Sequence, residues 1–388
     1  MKYFFVLGNH PTLSIAELYG KLSITSGQYL APDIFVAEIE ENIEARNLIK
    51  SIGGTIKIGR IIETLSNKSN DIFEASLESF AQVKKTGKFN FGISLYGNAK
   101  IDGKRIGLAL KQELKNQGVS CRFVVSREKT LSSVVVEQNK LLTSGQELVY
   151  IVQGSNIILG VTEAVQLFKE LSARDYGRPA RDDRSGMLPP KLAQMMINMS
   201  GVKKKDMLLD PFCGSGTILT EAMLMGYENI IGSDISSKAI EDTRKNITWT
   251  LEKTHNKTKP KLQVTDARQL SKFIKKESAT VIVTETYLGP QRGEIDFKKV
   301  SGELTSLYNQ TIKEIFFVLK KGGRAVIALP AFIIAGRPKL LSIEIKPFRP
   351  VDIIPADIHI QTGITERGTF LYGRPDQRVW REIIILEK

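Results

Sequence analysis

The stretch Leu208-Leu209-Asp210-Pro211-Phe212-Cys213-Gly214-Ser215-Gly216-Thr217 constrains this chain more than any other. An apolar run ends in an acid, passes through a glycine-rich turn and enters the amphipathic pattern of residues 218–225, which predicts a strand, a tight loop and a helix start. Gly214 and Gly216 remove side chains that would stop the backbone closing on a ligand. The free N–H groups of the helix N-terminus favour a negatively charged ligand group. The loop therefore predicts a nucleotide-like cofactor.

Which cofactor follows from what is absent and what comes next. A P-loop would need Lys-Ser or Lys-Thr after the second glycine, and this chain has Thr217-Ile218, which argues against ATP. A dinucleotide fingerprint would put a third small residue where Leu219 stands, although Asp234, closing Ile230-Ile231-Gly232-Ser233-Asp234, is placed to bind ribose hydroxyls in either family. Leu262-Gln263-Val264-Thr265-Asp266-Ala267 then supplies a third strand ending in an acid, suited to the exocyclic amine of an adenine. This ordered set of strand-end acids resembles the class I S-adenosylmethionine-dependent methyltransferases. The wording Asp-Pro-Phe-Cys-Gly-Ser-Gly-Thr is similar to the subset that modifies amino groups of nucleobases. The resemblance implies S-adenosylmethionine as cofactor and an α/β, Rossmann-like domain. It implies Asp210, Phe212, Gly214, Gly216, Thr217, Asp234, Ile235, Asp266 and Ala267 as cofactor-binding residues.

Length and charge set the outer bounds. A chain of 388 residues is long for one compact domain, so two or three are expected. With 55 Lys+Arg against 42 Asp+Glu, a net +13 points to a polyanionic partner. Two cysteines cannot make a disulfide framework. The apolar start at residues 3–7 is too short for a signal or a membrane span, so a cytoplasmic, soluble protein with no membrane partner is expected. Three scattered histidines, His10, His255 and His359, predict no metal site.

Pattern changes divide the chain. Residues 1–66 alternate strands (3–7, 34–39, 55–64) with helices (14–22, 43–51), an α/β sandwich with six basic and seven acidic residues. From the polar break Asn67-Lys68-Ser69-Asn70 onward, the segment to residue 160 holds thirteen basic residues against eight acids. There Leu131-Ser132-Ser133-Val134-Val135-Val136-Glu137-Gln138-Asn139-Lys140-Leu141 resembles a THUMP domain, which implies binding to the acceptor end of tRNA, with a ferredoxin-like domain in front. Lys111, Lys115, Arg122, Arg127 and Lys129 are the RNA-binding candidates. Singly each is an ordinary solvated cation; together they can meet phosphates without reading sequence. The expected domains are thus 1–66 ferredoxin-like, 67–165 THUMP-like, 166–185 an exposed linker and 186–388 the methyltransferase.

Ser185-Gly186-Met187-Leu188-Pro189-Pro190 opens a helix to residue 200, with Pro190 in its first turn. In THUMP-bearing tRNA guanosine-N2 methyltransferases acting at position ten, which this chain resembles over nearly its whole length, that pattern covers the methionine part of the cofactor and adds Pro190 to its binding set. Eukaryotic relatives use a small activating subunit, and the resemblance leaves open whether this chain does.

The catalytic motif departs from that family. Its amino methyltransferases usually carry Asp/Asn/Ser-Pro-Pro-Tyr/Phe after the fourth strand; here Val281-Ile282-Val283 leads into Thr284-Glu285-Thr286-Tyr287, without either proline. The N2 lone pair of guanine is delocalised into the ring, so acceptors must hold the amine hydrogens while an aromatic face fixes the base. Thr284 or Glu285 can accept and Tyr287 can stack, which makes these three the catalytic candidates. Loss of two φ-fixing prolines makes the loop less preorganised. It keeps alive a second reading, a noncatalytic tRNA-binding or maturation factor; a DNA amino-methyltransferase would leave the THUMP-like half unexplained. Later, helix 304–319, strand 324–330 and closing strands near 358–361, 368–374 and 379–386 are expected, with Arg374 between the last two read as a turn cation in preference to an RNA contact.

Overall fold

A computed structural model describes residues 1–30, 33–66, 68–81, 83, 87–98, 101–181, 187–254, 256–290, 296–358 and 363–388. His255, His359, most of the strand expected at 358–361 and residues 182–186, from the end of the linker to the first residue of the expected methyltransferase domain, lie outside the described residues. The chain runs β1 (Lys2–Leu7), α1 (Pro11–Lys21), β2 (Ile24–Leu30), β3 (Ile34–Ile39), α2 (Ala45–Leu48), β4 (Thr55–Ser66), α3 (Ser69–Ala81) and β5 (Phe89–Tyr96). Next come α4 (Gly103–Asn116), β6 (Cys121–Val124), α5 (Ser133–Gln138), β7 (Gly145–Gln153), β8 (Asn156–Val165), α6 (Phe168–Tyr176) and α7 (Pro190–Met199). Then follow β9 (Met207–Asp210), α8 (Thr217–Leu224), β10 (Asn229–Asp234), α9 (Ser237–Lys253), β11 (Lys261–Val264), β12 (Ala279–Glu285) and α10 (Phe297–Val318). The last elements are β13 (Leu319–Ile334), β14 (Arg337–Leu340), β15 (Arg349–Pro350), β16 (Phe370–Tyr372) and β17 (Val379–Glu387).

Two compact units result, and their boundaries differ from those expected. The first comprises Met1–Asn9, Ser23–Lys50 and Thr55–Leu167. Its strands form one eight-stranded sheet in the order β2-β3-β1-β4-β8-β7-β5-β6. β4, which ends where the expected boundary falls, is paired with β1 on one side and β8 on the other, so the segments read as two domains share a sheet. Phe80, Phe89, Phe91 and Tyr150 fill the core under α3 and α4. Inside it stands an ion pair: Lys57 Nζ lies 2.5 Å from Glu147 Oε1 and donates to the Leu131 carbonyl at 2.6 Å. Ser94 and Thr162 hydroxyls donate to the same carboxylate, at 2.5 and 2.6 Å.

The second unit comprises His10–Leu22, Ser51–Gly54 and Phe168–Lys388, so it takes α1 away from the expected amino-terminal domain. α1 packs on α7, where a Cβ on Gly20 would stand 2.5 Å from the Asn198 carbonyl. Buried Glu17 of α1 accepts from the Gly53 and Gly54 amides and from Asn198 Nδ2, each at 2.8 Å. Its carboxyl is pushed up to about 7, chiefly by burial. The sheet of this unit runs β11-β10-β9-β12-β13-β17-β15, with β14 and β16 beside β13 and β17. β11 to β13 are parallel and β17 runs antiparallel to β13. Strand order reverses between β10 and β12, across β9, and ligands of open α/β sheets bind outside the carboxyl ends of strands at such a point. Part of the expected linker is helical, as α6.

Candidate active site

β9 ends at Asp210, whose buried Oδ1 accepts from the Thr284 hydroxyl at 2.7 Å and the Phe212 amide at 3.2 Å. Burial pushes this carboxyl up to about 7, against those hydrogen bonds and with the charges of Asp234 and Glu285. The loop beyond turns back through Gly214 and Gly216, at φ +52° and +85°, left-handed backbone that glycine adopts without strain. A Cβ on Gly216 would meet Thr243 Cγ2 at 2.8 Å, whereas one on Gly214 would enter open space. Thr243 Oγ1 donates to the Gly214 carbonyl at 2.7 Å and Asn246 Nδ2 to the Ser215 carbonyl at 2.8 Å, so α9 fixes the loop from behind. Asp234, ending β10, accepts from the Gly214 amide at 3.0 Å and the Ser236 amide at 2.9 Å.

A cleft of about 650 Å³ opens here. Asp210, Phe212, Gly214, Thr217, Asp234, Ile235, Asp266, Ala267, Glu285 and Tyr287 all line it. Gly216 and Pro190 do not. Gly216 is the cap residue of α8, and Pro190 is buried as the first residue of α7, while Met187 and Leu188 just before it line the cleft. Asp266 lines the cleft, but its carboxylate is held by Arg268, with Nε at 3.0 Å and Nη2 at 2.6 Å. That pairing holds its pKa below the usual carboxylate range. Any adenine amine would have to share these oxygens. Burial pushes the Cys213 thiol well up, so it is no thiolate nucleophile. Among the described residues no cluster of three or more His, Cys, Asp or Glu could hold a metal.

The three catalytic candidates part company. Thr284 is fully buried, and its hydroxyl is bonded to Asp210, which turns it inward and away from an incoming amine. Glu285 reaches the cleft and is ion-paired with Arg381 Nε from β17. Tyr287 is 54% exposed with its ring at the cleft, while its carbonyl accepts from the Tyr308 hydroxyl. Thr286, which stands where a proline is usual, makes two bonds to the Ala328 carbonyl, amide and hydroxyl both at 3.0 Å. Those bonds and Tyr308 pin the loop that prolines would otherwise stiffen. The sequence reading missed Arg381, and no local signal marks a partner so distant in the chain.

In the first unit Lys111 and Lys115 lie on α4, Arg122 on the edge strand β6, and Arg127 and Lys129 in the loop after it, which gathers the RNA-binding candidates along one sheet edge. Four are exposed and Lys111 is half-buried.

Comparison with known proteins gives the family. The UPF0020 profile, described as an RMKL-like methyltransferase domain, matches residues 178–333. A protein of Methanothermococcus thermolithotrophicus described as a probable tRNA (guanine(10)-N2)-dimethyltransferase is 32% identical over 143 residues, 36% of this chain and 78% of that one. The chain belongs to the same methyltransferase family. The Methanocaldococcus jannaschii tRNA (guanine(10)-N2)-dimethyltransferase of that family is 28% identical over 337 residues, 83% of this chain and 89% of its own. For the enzyme of the same description from Methanothermobacter thermautotrophicus, identity is 34%, but the match spans only 40% of its length. TrmN of Thermus thermophilus shares the fold along the whole of both chains, with a TM-score of 0.51 at 16% identity. No helix among the described residues is long and apolar enough to cross a membrane.

Proposed function

We propose that this protein is an S-adenosylmethionine-dependent tRNA methyltransferase acting on the exocyclic N2 of a guanosine, at position ten, with dimethylation as in the relatives' description. The observation that carries the reading is the cleft at the ends of β9, β10 and β12, with a carboxylate and an exposed tyrosine at its mouth. The residues present fit the cofactor: Gly214 leaves open space where a side chain would project, and Asp234 presents a carboxylate at the strand end suited to ribose hydroxyls. When bound, S-adenosylmethionine supplies the methyl group.

The chain's own residues do the rest. Tyr287 stacks the target base, which must leave its helix to enter. Glu285, fixed by Arg381, accepts a hydrogen bond from the N2 amine and holds it in line for displacement. Thr284 acts behind the site by holding Asp210. The basic edge of the first unit, THUMP-like in sequence, meets tRNA phosphates, and the enzyme acts on the cytoplasmic tRNA pool.

Transfer of labelled methyl to unmodified tRNA by the purified protein tests this reading, and absence of transfer with cofactor bound would sink it. For the cofactor half, Asp234→Ala is expected to weaken S-adenosylmethionine binding by about 1.5–3 kcal/mol in calorimetry, since it removes hydrogen bonds to a charged group. Unchanged affinity would show that this strand end does not hold the cofactor.

A further inference from the structure

His10 stands immediately before α1, and its imidazole packs on the ring of Tyr372 in β16, centroids 4.3 Å apart with planes at 33°. Both side chains are partly exposed. The imidazole plays no part in capping the helix. Burial and the nearby charge of Arg374 lower its pKa, which keeps the ring neutral at neutral pH and suited to stacking. Arg374 opens the turn from β16 to β17, and that turn is held: its amide donates to Gln377 Oε1 at 3.0 Å, and its carbonyl accepts from Trp380 Nε1 at 2.8 Å. The Arg374 side chain is exposed, with no ion pair among the described residues.

Tyr372 is also the register partner of Arg381, the residue that grips Glu285. The charges close enough to act on its hydroxyl are Arg381, Arg374, Asp175 and Glu285. Tyr372 therefore stands one strand spacing, about 4.8 Å, from the arginine behind the amine-binding carboxylate, with the neutral His10 ring against it and an exposed guanidinium on the held turn nearby. An aromatic platform with a cation beside it is how proteins hold unstacked nucleotides, base on ring and phosphate on charge.

We propose that His10, Tyr372 and Arg374 form a second RNA subsite, which takes the nucleotide flanking the target guanosine. This rests on the methyltransferase reading for the place of the target base, since Tyr287 already serves that base at the cleft. The subsite draws one residue from just before the amino-terminal helix, one from a closing strand and one from the turn that follows it.

The test uses the full chain and an unmodified tRNA transcript with guanosine at position ten, and reads affinity by fluorescence anisotropy across a salt series. His10→Ala should weaken tRNA binding roughly tenfold, and His10→Phe, which keeps a stacking ring, should recover to within about twofold of wild type. Arg374→Gln should weaken binding and lower the slope of log affinity against log salt by about one. Cofactor affinity should not change in any of the three. Unchanged tRNA affinity in His10→Ala and Arg374→Gln, or an equal loss in His10→Phe and His10→Ala, would overturn the subsite. Because affinity alone is read, a wild-type chain that binds tRNA without methylating it would overturn the methyltransferase reading and leave this result standing.

Discussion

Glu285→Ala is expected to lower kcat for methyl transfer by about a hundredfold or more, with S-adenosylmethionine affinity within about twofold of wild type, because the carboxylate acts on the orientation of the amine and not on the cofactor pocket. The alanine also leaves Arg381, 5% exposed, without its carboxylate, so a fall in thermal stability should accompany the loss. Glu285→Gln separates the two effects. An amide keeps one oxygen for Arg381 and the amine but loses the charge: a mild effect would assign the role to hydrogen bonding, and a severe one to the charge, facing the cofactor sulfonium. Tyr287→Ala should reduce kcat/KM by roughly tenfold to a hundredfold through lost stacking. It should not loosen the loop, since Tyr308 bonds the backbone carbonyl of residue 287. Wild-type turnover in Glu285→Ala would remove this carboxylate from the mechanism.

The largest stability effect is expected in the other unit. Lys57→Met leaves the Glu147 carboxylate buried with, among the described residues, only the Ser94 and Thr162 hydroxyls, and breaking a buried pair on one side costs about 3–5 kcal/mol. It also frees the Leu131 carbonyl, which anchors the chain just after Arg127 and Lys129. Both tryptophans, Trp249 and Trp380, belong to the second unit, so urea unfolding should be followed by far-ultraviolet circular dichroism. The double change Lys57→Met with Glu147→Leu should recover most of the loss, because a well-packed apolar pair carries no desolvated charge. A cost under about 1 kcal/mol for the single change would mean that water reaches the pair.

Local signals carried the glycine loop and the strand-end acids of the cleft. Strand, glycine turn and helix start are neighbours in sequence, and Asp210, Gly214, Thr217 and Asp234 stand where that pattern puts them. α7 begins at Pro190 as its proline predicts. Other signals were present but overlooked: Pro11 in the first turn of α1, and Asp296, whose side chain caps α10 by accepting from the Lys299 amide, well before the expected start at 304. β2 carries no clear strand signal, because Ser26-Gly27-Gln28 breaks the apolar alternation on a sheet edge.

What the sequence could not show is long-range. Lys57 and Glu147 lie 90 residues apart, and no local signal marks them as a buried pair. Arg381 and Glu285 are 96 residues apart. The assignment of α1 to the second unit depends on a backbone approach at Gly20 that no periodicity announces.

The central claim is methylation of one guanosine amine, and nucleoside mass analysis tests it most directly. Two tRNA transcripts, one with guanosine at position ten and one with adenosine there, are incubated with purified protein and S-adenosylmethionine, digested and compared. The expected result is N2-methylguanosine and N2,N2-dimethylguanosine from the first transcript and neither from the second. Methylated guanosine from both would place the target elsewhere in the tRNA. No methylated nucleoside from either, with cofactor bound and tRNA saturating, would contradict the account and favour a tRNA-binding factor that keeps the methyltransferase fold.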